Sequence, residues 1–223
     1  MNCPRCNANV AFSKKRCDNC GQDLKNYRRV VGLSNIYYNK GLSQAKVRDL
    51  SGAISSLKLS LQFNKLNTNA RNLLGLVYLE EGEIVSALSE WVISKHYQSE
   101  NNDAEDYIKM IQSNPNKLET YNQTIRKYNS ALNSAKHGDE DMAIIQLKKV
   151  VNLNPKFIRA HQLLALLYMM TGKKDNRVKA LKLLRNISQI DVTNTTTLRY
   201  MKELSDVHIR GESPKVQPKV VKK

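Results

Sequence analysis

The sequence predicts an all-α solenoid of stacked helix pairs, carried behind a small head held together by a metal ion. Three observations lead there. All four cysteines of the 223-residue chain fall within its first twenty residues, as two Cys-x-x-Cys pairs. From about Lys25 the apolar residues recur with helical spacing, punctuated by glycines and polar turns. Two stretches also return 90 residues later: "YNKGLSQAK" at 38–46 as "YNSALNSAK" at 128–136, and "ARNLLGLVY" at 70–78 as "AHQLLALLY" at 160–168.

The head comes first, over residues 1–24. Two residues between cysteines make a tight knuckle that turns both thiolates towards one ion, and two knuckles complete a tetrahedron, so Cys3, Cys6, Cys17 and Cys20 are the expected ligands. No export signal precedes them, and in a reducing compartment clustered cysteines point to metal rather than to disulfides. The ten residues between Cys6 and Cys17 suffice for a short hairpin with Val10 and Phe12 alternating along a strand. Gly21 after the second knuckle and Asn7 after the first both tolerate a left-handed backbone. So small a segment buries too little to fold alone, and metal binding supplies the deficit, about 10–16 kcal/mol in zinc-finger peptides. "CPRCNANVAFSKKRCDNCGQDL" resembles the short zinc ribbon that heads many bacterial regulatory and membrane-associated proteins, with Asn7 in place of the usual glycine. The resemblance implies one structural Zn2+. A closed four-cysteine site leaves no position open for catalysis. Docking through "SKKR" at 13–16 and a redox-sensitive site are the other roles such a head supports.

Behind the head, residues 68–101 place Leu74-Gly75, Tyr78, Gly82, Ala87 and Trp91 at intervals resembling the tetratricopeptide repeat, a helix-turn-helix unit of about 34 residues. Three further copies share the frame: 34–67 with Gly41, Ala53 and Leu57; 124–157 with Ala131, Gly138, Ala143, Leu147 and Pro155; and 158–191 with Leu164, Ala165, Tyr168, Gly172 and Ala180. In the last copy "KKDN" is expected to lengthen the turn between its helices by three residues. Residues 102–123 form an insert, expected to hold an extra helix ending near Pro115. A final helix over about 195–207 is expected to cover the last repeat, since terminal units of a solenoid need a polar outer face. The solenoid thus spans 25–207, and 208–223 is a basic, proline-bearing tail expected to be disordered.

Stacked helix pairs of this kind form a concave face lined by their first helices. By resemblance, the residues that look into it are Tyr38, Asn39 and Leu42; Asn69, Asn72 and Leu76; Tyr128, Asn129 and Leu132; and Arg159, Gln162, Leu166 and Met169. Amides satisfy the backbone of an extended peptide while phenols and apolar side chains bury its side chains, so the lining suits a polypeptide partner. The four leucines also have the spacing of packing between repeats. A chaperone-tail clamp is disfavoured, because Tyr38 and Leu42 supply no cation for a terminal carboxylate.

Charge and the absence of chemistry bound the function. With 36 Lys and Arg against 20 Asp and Glu, the net charge of +16 attracts anionic partners, whether acidic protein, nucleic acid or an anionic membrane surface. Nucleic acid bound through the basic head and surface is the alternative to a protein partner. No segment reads as a membrane span, which places the chain in the cytoplasm. A basic stretch such as "KVQPKVVKK" often precedes a span on the cytoplasmic side, so a chain continuing beyond Lys223 into an apolar segment would be tethered there. His96, His137, His161 and His208 are scattered, and neither a phosphate-cradling glycine loop nor a nucleophile triad is visible. The expectation is a non-enzymatic scaffold or adaptor.

Overall fold

The computed structural model describes residues 1–210. The tail expected over 208–223 lies outside the described residues from 211 onward. Ten helices are found among the described residues: α1 (Lys25–Lys46), α2 (Leu50–Phe63), α3 (Thr68–Glu80), α4 (Ile84–Tyr97), α5 (Ala104–Gln112), α6 (Pro115–Lys136), α7 (Glu140–Leu153), α8 (Ile158–Met170), α9 (Lys174–Ile190) and α10 (Thr195–Arg210). Helices α1/α2, α3/α4, α6/α7 and α8/α9 pack as consecutive pairs; α5 bridges α4 and α6, and α10 closes the array against α8 and α9.

The pairs form where small residues let two helices meet. Ala53, Ala87, Ala131, Ala143, Ala165 and Ala180 are fully buried. Glycine replaces alanine where the facing side chain comes closest. A Cβ on Gly75 would lie 2.2 Å from Nε1 of Trp91, and one on Gly41 would lie 2.7 Å from Cγ of Leu57. Helix starts are set by side-chain caps: Asp49 accepts from the N–H of Gly52, Asn67 from Ala70, Asn114 from Lys117 and Asp139 from Met142. Asp49 and Asp139 are 90 residues apart, as are Arg48 and Gly138, which both take left-handed backbone at the preceding turn. The internal repeat thus extends to caps and turns.

One expectation is corrected. The "KKDN" stretch does not lengthen a turn: Lys174, Asp175 and Asn176 form the first turn of α9, which has 17 residues against 14 in α4. These residues are helix-compatible, and Gly172 already supplies the left-handed position that ends α8. The extra helix expected in the insert is α5, which ends at Gln112 shortly before Pro115; Pro115 itself opens α6 at the first turn, where its missing N–H costs no hydrogen bond. The insert is therefore α5 plus the early turns of a long α6.

The array folds back on itself along two seams. In one, the N–H of Val192 donates to the carbonyl of Arg48 at 3.1 Å, and the carboxylate of buried Asp191 accepts from the N–H of Leu50 at 3.0 Å and from the hydroxyl of Ser51. Thr193 adds a hydroxyl bond to Asp49. In the other, Asn154 donates to the carbonyl of Gly82 at 3.1 Å, the N–H of Ile158 to that of Glu81 at 3.2 Å, and Lys156 and Arg159 pair with Glu80 and Glu83 at 3.0 and 2.9 Å. Gly82 has φ +76°, and a Cβ there would lie 2.7 Å from the backbone of Phe157, so only glycine allows this approach. Ile190 packs against the cores of both halves. The edge of α1–α4 that carries the turns after α1 and α3 therefore rests on the ends of α7 and α9.

Candidate functional site

The head brings its four cysteines together. All four sulfur atoms lie within 4.8 Å of one another, with Cys3 to Cys20 and Cys6 to Cys17 both at 3.6 Å. A tetrahedral ion with metal–sulfur distances of about 2.3 Å needs sulfur atoms about 3.8 Å apart, so the donor set fits one such ion. Each knuckle closes through the same bond, Asn7 N–H to the Cys3 carbonyl and Gly21 N–H to the Cys17 carbonyl, both 2.9 Å. Asn7 (φ +57°) and Gly21 (φ +70°) take the left-handed conformation the turn requires. Backbone N–H groups aim at the sulfurs. The amide of Cys6 holds the Cys3 thiol below its ordinary value, and the amide of Ala8 with the side chain of Asn19 brings Cys6 down to about 6. The amide of Gln22 works the same way on Cys20, but burial and the three neighbouring thiols outweigh it and push Cys20 up to about 12. Four sulfurs this close cannot all ionise without a cation between them.

The hairpin expected between Cys6 and Cys17 does not form. Two isolated bridges, Asn2 with Asn9 and Arg16 with Asp23, instead flank the two knuckles. Val10 is buried with Leu24 in the head's small core, whereas Phe12 is 46 % exposed, its ring beneath the guanidinium of Arg28. Ala8, Val10 and Lys15, whose backbone groups such a hairpin would pair, are bonded instead to Cys3, Met1 and Leu24.

Of the residues expected on the concave face, Tyr128, Asn129 and Arg159 line one cavity of about 260 Å3, together with Glu83, Tyr121, Ile125 and Phe157. The ring of Tyr128 packs at 4.8 Å on Phe157, and burial pushes its phenol up, with Arg159 opposing and Glu83 adding. Arg159 Nε and Glu83 Oε1 are 2.9 Å apart, in an orientation that makes a close ion pair rather than an aligned hydrogen bond. Sequence reasoning missed Glu83, Tyr121, Ile125 and Phe157, because the seam at Gly82 that unites them has no local signature.

The other expected residues are dispersed. Asn69 is exposed and lines a separate cleft of about 840 Å3 between the head and the first helices, with Asn2, Arg5, Asn7, Asn35 and Tyr97. Asn39 is exposed; Tyr38, Leu42, Leu76, Leu132 and Leu166 are half-buried. Three residues belong to the packing instead. Asn72 is buried, donating to Oδ1 of Asn102 at 2.8 Å while its carbonyl accepts from the Trp91 indole at 3.1 Å. Gln162 donates to Asn194 at 2.7 Å and to Thr197 at 3.1 Å, and Met169 is 1 % exposed. In each case the neighbour comes from an element the repeat frame does not contain or from the tight packing of α8: the insert for Asn72, the start of α10 for Gln162.

No protein-family model matches the chain, and no curated protein matches it. Solved structures similar to it include YrrB, described as a tetratricopeptide-repeat protein with an unusual peptide-binding site, at 20 % identity over 74 % of this chain and 90 % of that one, TM-score 0.33. The tetratricopeptide-repeat domain of P58(IPK) matches at 16 % identity over 83 % of this chain and 58 % of that one, TM-score 0.36. MamA matches at 23 % identity over 71 % of this chain and 91 % of that one, TM-score 0.31. At these values the likeness does not extend to overall shape or ligand. Among the described residues, no helix is long and apolar enough to cross a membrane.

Proposed function

We propose that the protein is a non-enzymatic adaptor that holds a segment of a partner polypeptide on its concave face, with a zinc-stapled head as a second contact surface. The observation that carries this reading is the cavity at Tyr128, Asn129 and Arg159. Its 260 Å3 falls below the roughly 300–1,000 Å3 of small-molecule sites, so it suits a side chain anchored from a longer chain rather than a free small ligand. Aromatic walls, an exposed amide and an ion pair offer apolar contact and polar bonds together. The cleft beside the head supports the second contact: its exposed amides at Asn2, Asn7, Asn35 and Asn69 can each donate to and accept from an extended backbone. In this reading the cysteines hold one Zn2+, which is compatible with a reducing compartment such as the cytoplasm.

The test is selection of peptides against the whole protein from a displayed random library, followed by rebinding to variants. Asn129→Arg, an exposed position that would fill the cavity, and Glu83→Gln should each weaken selected peptides at least tenfold with an unchanged circular dichroism spectrum. Affinity should change little between 50 and 300 mM salt. Selected peptides indifferent to both substitutions refute the concave-face site, and steep salt dependence with preference for nucleic acid refutes the adaptor reading itself.

A further inference from the structure

A shallow recess of about 310 Å3 opens between α7 and α9 over Tyr168 of α8, and shares no lining residue with the concave-face cavity. Three lysines converge on it. The ammonium groups of Lys148 and Lys179 lie 6.0 and 5.8 Å from the centre of the Tyr168 ring, and Lys182 lines the same recess. None of the nine lining residues is acidic, and none of the three lysines is in an ion pair among the described residues. Tyr168 is only 6 % exposed, and its hydroxyl, which makes no hydrogen bond among the described residues, is not one of the buried unpaired polar atoms: it reaches the surface, free to donate to a ligand.

The internal repeat separates what packing explains from what it does not. Lys58 and Tyr78 stand 90 residues before Lys148 and Tyr168 and keep the same contact, ammonium to ring centre 5.8 Å. That pair is common to both halves. Allowing for the three extra residues of α9, the α4 positions matching Lys179 and Lys182 are Ser86 and Ser89. Two lysines have therefore been added beside an inherited lysine–tyrosine pair. Like charges around one recess repel, so packing alone gives no reason for them, whereas an anion lodged among them is held by each.

We propose that this recess binds the phosphate monoester of a phosphorylated side chain on a partner polypeptide. A monoester dianion has three free oxygens and nearly two charges, matching three ammonium donors and one phenol donor at the floor. A nucleic-acid backbone spreads one charge per phosphate along its length and needs a track of cations, whereas here the three lysines line a single recess. Asn152 and Asn186 at the rim offer amides to the backbone on either side of the modified residue.

The test is binding of a phosphoserine peptide library with randomised flanks, against the same library unphosphorylated, to the wild-type chain and to Lys179→Gln/Lys182→Gln. The lysines are exposed, so the double variant should keep the wild-type circular dichroism spectrum. The phosphorylated library should bind at least tenfold better, be displaced by inorganic phosphate, and lose that preference in the double variant but not in Lys58→Gln. Equal binding of the two libraries, or a phosphate preference that survives the double substitution, overturns the proposal. So does binding of vesicles containing phosphatidylserine or a phosphoinositide that excess phosphopeptide does not compete away, which would assign the lysines to a membrane surface. Asn129→Arg should leave this binding unchanged, so failure here and failure of the concave-face reading are told apart.

Discussion

Replacing Gly75 by alanine tests the packing that the whole array rests on. The new Cβ would sit 2.2, 2.6 and 2.7 Å from Nε1, Cε2 and Cδ1 of Trp91, a fully buried side chain held against Tyr107 with ring centres 5.3 Å apart. The indole cannot yield without moving its N–H from the carbonyl of Asn72. Overpacking of this kind costs about 1–3 kcal/mol, and an indole N–H left buried and unpaired about 1–3 more. Alanine returns about 1 kcal/mol of helix propensity, so the net loss is about 3 kcal/mol. For a chain of this size that is roughly 6–12 °C in melting temperature. Gly32→Ala is the control, because its Cβ meets only the Phe12 ring at 3.8 Å and should stabilise by up to about 1 kcal/mol. A further variant follows from the internal repeat. The positions of Gly75 and Trp91 correspond to Ala165 and Leu184, both fully buried, so a smaller partner tolerates the larger helix residue. Gly75→Ala combined with Trp91→Leu should therefore melt above the temperature expected from adding the two single effects, with a coupling of about 1–3 kcal/mol. Melts followed at 222 nm decide it. A Gly75→Ala protein as stable as Gly32→Ala, or a strictly additive double variant, would refute the reasoning.

Removing the zinc proposed for the head should act locally. A chelator strong enough to strip zinc should free four titratable thiols and release one ion per chain by elemental analysis, while ellipticity at 222 nm stays nearly constant, since the head contributes two isolated bridges and no helix; disulfide-paired cysteines in protein purified without oxidant would count against it. The seam at Glu81 should give a pH dependence. Burial, then Asp191 and Glu83, push its carboxyl up to about 7, against the opposing pull of Arg159 and Lys58. A raised acid binds its proton more tightly folded than unfolded, so stability is highest below the ordinary value of 4.5 and falls as pH rises through about 7. Glu81→Gln should hence stabilise at pH 8 by on the order of 1–2 kcal/mol, after allowing for its partial exposure, and by little at pH 4.5. His161, whose ring burial pushes down, works in the opposite direction over part of the same range, so the comparison of variant with wild type is the measurement. An equal effect at both pH values would remove Glu81 from the seam's electrostatics.

What was legible in the sequence is what depends on neighbours in the chain. Helix pairs, their small contact residues, the left-handed positions after each knuckle and the four converging cysteines all arise from local spacing. What was not legible depends on the array closing. Gln162 and Asn72 look like groove residues in an isolated repeat, but α10 and the insert bring Asn194 and Asn102 to their amides. Phe157 and Glu83 look like turn residues, yet they wall the cavity because Gly82 lets the two halves approach. The start of α9 failed for a different reason. Counting inserted residues gives the length change between two repeats but not which side of the helix boundary absorbs it, and residues 174–176 are compatible with the first turn of a helix.

The closure also constrains how the concave-face cavity can work. The duplicated features, such as the caps at Asp49 and Asp139, serve each half separately, whereas the seam joins positions with different chemistry in the two halves. Its residues are also the cavity's residues: Arg159 pairs with Glu83 across the seam and both face the space beside Tyr128. An acidic group entering that space to reach Arg159 must compete with Glu83, and Glu83 is a half-buried carboxyl that burial already pushes up and Arg159 holds down. Separating the pair leaves that carboxyl without its cation, which favours its taking up a proton. A basic group has the opposite effect, since it can join Glu83 while Arg159, largely exposed, turns to solvent. The geometry therefore favours partner segments that bring an aromatic or apolar side chain with a neighbouring cation, and selection from a random peptide library should enrich Lys or Arg over Asp or Glu beside the anchor. Enrichment of acidic residues there would mean that Arg159 leaves Glu83 on binding and that the seam opens to admit the partner.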